Sequence, residues 1–188
     1  YNLATTYYRG DIVKKDISKS IEYFECLARL NFPPAFNCLG YIYSESRDIQ
    51  RDYSKAKYYL QIAADLNDSV GLYNLAKMYF RGSGIPKDYS KARMYFKRSA
   101  QQNHSDSLFH LGLIYYEGLD VKPDLSTAKD YFELSAKQKN SNALYYLGNF
   151  YYYGINIEPD LKKAKKYYKS AASQENSEAY CMLGEFYF

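Results

Sequence analysis

The chain has 188 residues, 47% of them apolar and 24% charged, the balance of a folding chain rather than a disordered one. Its 25 basic and 21 acidic side chains leave +4 at neutral pH, too little to mark a nucleic-acid-binding surface by itself. No apolar run approaches the roughly 20 residues of a membrane span, and three cysteines (Cys26, Cys38, Cys181) make neither a disulfide framework nor a CxxC pair. Residue 1 is not Met and nothing after it reads as a signal peptide, so any targeting segment is expected outside this sequence. Tyrosine is abundant, 25 residues beside 10 Phe and no Trp.

Along the chain one pattern returns every 36 residues. Leu3, Leu39, Leu75, Leu111, Leu147 and Leu183 are each followed by a small residue and, four positions on, by Tyr7, Tyr43, Tyr79, Tyr115, Tyr151 and Tyr187. A second tyrosine column runs Tyr23, Tyr59, Tyr95, Tyr131 and Tyr167, and aspartates recur at Asp16, Asp52, Asp88, Asp124 and Asp160. Helices are expected near residues 1–9, 16–30, 35–45, 52–66, 71–81, 88–102, 107–117, 124–138, 143–153, 160–174 and 179–188.

Residues 71–106 show why. Leu72, Leu75 and Tyr79 share one helical face. Gly82 and its counterparts Gly10, Gly118 and Gly154 stop the first helix, with Ser46 as the exception. Two residues on, Asp48, Gly84, Asp120 and Asn156 are types that tolerate a left-handed backbone. An aliphatic residue and a nearby proline keep the connector extended, and each aspartate then caps the second helix. That helix buries Ala92, Tyr95, Phe96, Ser99 and Ala100, with the tyrosines expected to fill gaps between neighbouring pairs.

Such a pair cannot bury both faces alone. The expected fold is therefore all-α, a right-handed α-solenoid of antiparallel helix pairs with a 36-residue repeat. It forms a single array over 1–188, with units near 1–34, 35–70, 71–106, 107–142 and 143–178 and a partial unit at 179–188. Both ends are apolar where a solenoid needs a polar cap, so the array is expected to be an excerpt of a longer one.

The columns resemble the Sel1-like repeat, a relative of the tetratricopeptide repeat. Residues 143–178 carry its pattern nearly whole: Leu147-Gly148, Tyr151, Gly154, Ile157, Asp160, Lys163-Ala164, Tyr167 and Ala171-Ala172. Departures are Ser46 for a loop glycine, Thr127 for the lysine and Ser20 for an alanine, and Pro33-Pro34 alters one turn. The resemblance implies a non-catalytic adaptor or assembly platform whose partners are other proteins. A eukaryotic source and a cytoplasmic location are expected, with the ER lumen as the alternative location.

Cys26, Cys38, His104, His110 and Cys181 are scattered, so no metal site and no Cys–His or Ser–His nucleophile is expected. No glycine-rich loop follows a strand, so no cofactor is expected. The absence of a cysteine pair in every repeat argues against the disulfide-stapled branch of the family. Lys162, Lys163, Lys165, Lys166 and Lys169 crowd one helix, read chiefly as a solvated face and alternatively as an anion patch. Asn67 and Asn103 begin glycosylation sequons in equivalent turns, a weak sign for the ER lumen.

A partner, finally, would meet the first helices. Removing the core columns leaves a stripe of Asn37, Tyr41, Ser44; Tyr73, Lys77, Phe80; Phe109, Leu113, Tyr116; Tyr145, Asn149, Tyr152; and Cys181, Glu185, Phe188. The expected partner-binding residues are the central nine, Tyr73 through Tyr152, forming a concave aromatic groove for a peptide or helix. Their rings are expected to be partly exposed, with Lys77 and Asn149 directing the partner. The competing reading is that a narrow superhelix packs the rings against one another. At the level of function, the alternative to a binding scaffold is an architectural or regulatory segment of a larger protein, attached to a kinase or ubiquitin-ligase system or part of a cytoskeletal complex. Neither nucleic acid nor membrane insertion is expected.

Overall fold

A computed structural model describes residues 1–186. Tyr187 of the tyrosine column and Phe188 of the stripe, which also end the last expected helix, lie outside the described residues. Among the described residues there are eleven α-helices and no strand: α1 (Asn2–Arg9), α2 (Ile17–Arg29), α3 (Pro33–Glu45), α4 (Tyr53–Asp65), α5 (Ser69–Arg81), α6 (Tyr89–Ala100), α7 (Ser105–Glu117), α8 (Leu125–Lys137), α9 (Ser141–Tyr153), α10 (Leu161–Ala172) and α11 (Ser177–Gly184). They form two compact units, Tyr1–Gln102 and Asn103–Phe188, each described on its own below.

Capping sets the boundaries. Each repeat aspartate accepts the N–H three residues on, from Lys19, Lys55, Lys91, Thr127 or Lys163, at 2.9–3.0 Å. Thr127 adds its hydroxyl, which donates to Asp124 Oδ2 at 2.7 Å. Four first helices start two residues earlier than expected because they too are capped, by Asp68, His104, Asn140 and Asn176. Before α3 the turn residue is Phe32, and Pro33-Pro34 enter the helix as its first residues, where a missing N–H costs nothing.

At the C-terminal ends, Gly10, Gly82, Gly118 and Gly154 are left-handed. So are Gly84, Asp120 and Asn156 two residues later, but not Asp48. Ser46 closes α3 in an extended conformation instead, and its hydroxyl holds the Asp48 N–H at 3.3 Å. That corrects the left-handed reading of Asp48.

Within a pair the helices run antiparallel. Asp52, Asp88, Asp124 and Asp160 donate N–H to Tyr43, Tyr79, Tyr115 and Tyr151 carbonyls at one end. At the other end Ser99 and Ser135 donate to the carbonyls of Ser69 and Ser105 at 2.7 and 2.8 Å, and one turn into α2 Ser20 donates to the Ala4 carbonyl at 2.8 Å. Ser20, which stands in place of an alanine, thus makes a buried hydrogen bond. In the first unit α2 packs on α3, α4 on α5 and α3 beside α5; in the second, α8 packs on α9 and α10 on α11. Inside each unit, then, helix pairs stack as solenoid repeats.

The tyrosine columns do something other than expected. They stack face to face inside a pair, Tyr7 on Tyr23, Tyr43 on Tyr59, Tyr79 on Tyr95, Tyr115 on Tyr131 and Tyr151 on Tyr167, at 5.5–5.9 Å. Lys19, Lys55, Lys91 and Lys163 lie 5.0–5.3 Å from the first-helix ring of their pair. Thr127 replaces the lysine in the remaining pair.

The small column has an equally local cause. A Cβ on Gly40, Gly112 or Gly148 would strike Leu60, Phe132 or Tyr168 of the second helix, each fully buried. Phe24 and Phe96, at the matching positions, lie opposite the small Ala4 and Ala76 columns and are likewise buried.

Candidate partner-binding surface

In the first unit the stripe residues lie on α3 and α5. Tyr73 packs on Phe96 at 6.0 Å, and Phe80 on Tyr89 and Phe96 at 5.3 and 6.1 Å. Both stay half-buried, as does Lys77. Lys77 is already engaged: its Nζ is 3.0 Å from Glu45, which also lies 3.5 Å from Arg81. Ser44 is buried, Asn37 accepts from Asn74 at 2.7 Å, and Tyr41 is exposed.

In the second unit the stripe lies on α7 and α9. Phe109 is 7% exposed, set among Phe132, Ala143 and Phe150 in the unit's core. Its ring touches Phe132 at 5.8 Å and Tyr146 at 5.7 Å. The expectation that Phe109 is partly exposed is therefore corrected: it is a core ring and drops out of the candidate surface. Leu113, Tyr116, Tyr145, Asn149 and Tyr152 are half-buried.

Each remaining aromatic keeps one side on the core. Tyr116 lies 5.8 Å from Phe150, and Tyr145 and Tyr152 lie 6.0 and 6.3 Å from Tyr168. Asn149 accepts from the Tyr168 hydroxyl at 2.8 Å, so it too has an internal partner. Tyr152 donates to exposed Glu185 at 3.1 Å, and Cys181 is exposed.

Sequence reasoning missed Tyr146, whose ring meets Phe109, Tyr116, Phe132 and Tyr145 at 5.0–5.7 Å. Its column reads Asn2, Cys38, Asn74, His110, Tyr146, Met182, and that chemical variation was the available signal. Burial raises the pKa values of the Tyr146 and Tyr168 hydroxyls above the usual phenol range.

Other singled-out residues find structural partners. Asn67 and Asn103 carry the left-handed turn after a second helix, a place Asn tolerates. Four of the five clustered lysines on α10 are exposed; Lys163 pairs with Asp160 at 3.6 Å and Lys165 lies 5.5 Å from the Phe186 ring. Among the described residues no His, Cys, Asp or Glu group is arranged to hold a metal. Nor is any helix among them long and apolar enough to cross a membrane.

The Sel1 repeat profile matches five segments, residues 1–32, 39–68, 69–104, 105–140 and 141–176. The chain belongs to the Sel1 repeat family. A crystal structure of a Sel1 repeat protein from Oxalobacter formigenes is 30% identical, with a TM-score of 0.92 over 99% of this chain and 76% of that one. The protective antigen c5321 of uropathogenic Escherichia coli, which displays an SLR fold, is 30% identical, with a TM-score of 0.86 over all of this chain and 40% of that one. The cysteine rich protein B of Helicobacter pylori is 29% identical, with a TM-score of 0.55 over 71% of this chain and 96% of that one. In this chain the three cysteines are free. These three Sel1-like neighbours are bacterial, which gives the eukaryotic expectation no support. No curated protein matches the chain. The family membership carries the coarse functional class, a protein-interaction scaffold.

Proposed function

We propose that this Sel1 repeat chain is a non-catalytic scaffold that binds a peptide or helix of another protein through its first-helix faces. The supporting observation is the set of half-buried rings there: Tyr73 and Phe80 in the first unit, Tyr116, Tyr145 and Tyr152 in the second. Each is anchored on one side by a buried core ring, which removes most of its rotamer freedom before a partner arrives. Each keeps part of its surface exposed, area that a partner's apolar side chain would cover, as at an interface anchor. The surrounding structural columns repeat, whereas this surface changes from repeat to repeat, as a recognition surface would. Lys77 is paired with Glu45 and Asn149 with Tyr168, so the rings supply the apolar contact area.

The test is a paired substitution. Tyr145→Ala with Tyr152→Ala is expected to weaken a partner captured by the unsubstituted chain by at least about 2 kcal/mol, roughly 30-fold. Helical circular dichroism should remain near native. Capture that survives the double substitution with native helicity would overturn the reading.

A further inference from the structure

Beside the rings, the first unit contains a polar cavity of about 140 Å³ between α3, α5 and the start of α4. Its walls include Arg51, Lys77 and Arg81 against one carboxylate, Glu45, together with the hydroxyls of Tyr53 and Ser83. Three cations and one carboxylate leave the lining at +2 (3 − 1). The lysine is deep, its side chain only 16% exposed, so its charge is poorly screened by water. Among the described residues the Arg51 guanidinium makes one hydrogen bond, to the Tyr53 hydroxyl at 3.4 Å, and most of its fork of donors remains unused.

Glu45 indicates what the cavity takes. One oxygen of its carboxylate sits 3.0 Å from Lys77 and 3.5 Å from Arg81, an oxyanion already gripped by two of the three cations. It neutralises one charge and leaves two. A phosphate monoester carries about −1.5 to −2 at neutral pH and three acceptor oxygens, which matches the residual charge and the surplus of donors. Size agrees as well: a cavity of about 150 Å³ admits the six heavy atoms of benzene, and a phosphate group has five.

We propose that this cavity binds a phosphate group, presented as a phosphorylated side chain of the partner segment. The proposal rests on the scaffold reading above for the partner, but the cavity's own chemistry does not. Arg51 supplies the planar fork that holds two phosphate oxygens, Lys77 and Arg81 swing from Glu45 toward the third, and Glu45 sets affinity by competing for them. Unphosphorylated partners then meet a surface whose cations are partly satisfied, so phosphorylation switches binding on.

The experiment is a titration of the 188-residue chain, followed by amide NMR shifts, with inorganic phosphate against chloride at matched ionic strength. A blocked phosphoserine peptide and its unphosphorylated twin form the second arm. Saturable shifts at residues 44–53 and 77–83 are expected with phosphate and with the phosphopeptide alone. Arg51→Gln and Arg81→Gln, both at exposed positions, should each weaken phosphate about tenfold, the loss of one charge-assisted partner. Glu45→Gln should tighten it several-fold, a sign that a merely structural ion pair would not give. Equal shifts with chloride, or Glu45→Gln leaving affinity unchanged or weaker, would overturn the cavity as a phosphate site. Phosphate binding without phosphopeptide binding would overturn the partner half of the proposal. Because Tyr145 and Tyr152 lie in the other unit and no partner is needed, a failed ring surface leaves this titration fully readable.

Discussion

Lys139 and Glu175 hold a backbone that the same position in earlier repeats gives to asparagine. Their φ values are 61° and 60°, beside 53°, 57° and 59° at Asn31, Asn67 and Asn103. In this region the Cβ of an L residue crowds the following carbonyl oxygen, at about 1–2 kcal/mol, and the short asparagine side chain offsets part of that by hydrogen-bonding locally. Lys139→Asn is therefore expected to raise stability by about 0.5–1 kcal/mol in urea unfolding. An unchanged midpoint would mean that the exposed lysine makes compensating contacts. Gly112 presents the opposite case. Alanine would gain about 1 kcal/mol of helix propensity, but its Cβ would lie 2.5 Å from the Phe132 ring, which is fully buried and cannot turn away. Overpacking of that kind costs about 1–3 kcal/mol, so Gly112→Ala should lower the melting temperature despite its better propensity.

At the scale of helices, the second ones were readable to within a residue or two because aspartate fills every cap position. The first ones end where expected at α1, α3, α5, α7 and α9, but α5, α7, α9 and α11 start two residues early. Their caps are Asp68, His104, Asn140 and Asn176, and a column of mixed chemistry reads as a turn until the geometry shows each side chain accepting the same N–H. His104 is the least legible, since it caps through Nδ1, which accepts from Ser107 N–H at 3.3 Å. Asn140 shows what such a cap is worth. Its Oδ1 accepts from Ala143 N–H and its amide donates to Asp106 at 2.8 Å, tying the start of α9 to the start of α7. Asn140→Ala should cost about 1–2 kcal/mol by removing both. Asn140→Asp keeps the cap but sets two carboxylates together, so its smaller loss should shrink as salt is added. If Asn140→Asp loses nothing at any salt concentration, the Asp106 link contributes nothing.

For the molecule as a whole, period and face were legible and depth was not. The stripe sits on the first helices as expected, but whether a ring on it is core or surface depends on how far the second helix's ring reaches across the small column. Phe132 reaches far enough to bury Phe109, while Tyr168 leaves Tyr145 half open. No spacing rule contains that information. The abundance of tyrosine has a consequence at this scale. Burial is the first cause of raised hydroxyl pKa values at Tyr131, Tyr146, Tyr167 and Tyr168, followed at Tyr131 and Tyr167 by the facing ring of the stack. A group whose folded value is raised contributes stability below its unfolded value, about 10 for tyrosine, and loses that contribution as pH rises further. The caps behave the other way. Asp88 and Asp160 are held low first by the backbone N–H groups they accept, and Asp124 first by the Thr127 hydroxyl. Their contribution is present above the unfolded carboxyl value, about 4, and is lost as pH falls through the lower folded values. The melting temperature should thus hold steady between about pH 5 and 9 and fall on both sides. On the alkaline side phenolate absorbance should rise together with the loss of helicity, since these four hydroxyls ionise readily only once unfolding exposes them. Tyr168→Phe removes the most strongly shifted of them and its hydrogen bond to Asn149, so it should lower stability at neutral pH yet flatten the alkaline decline. An alkaline decline as steep in Tyr168→Phe as in the unsubstituted chain would show that the buried phenol does not drive it.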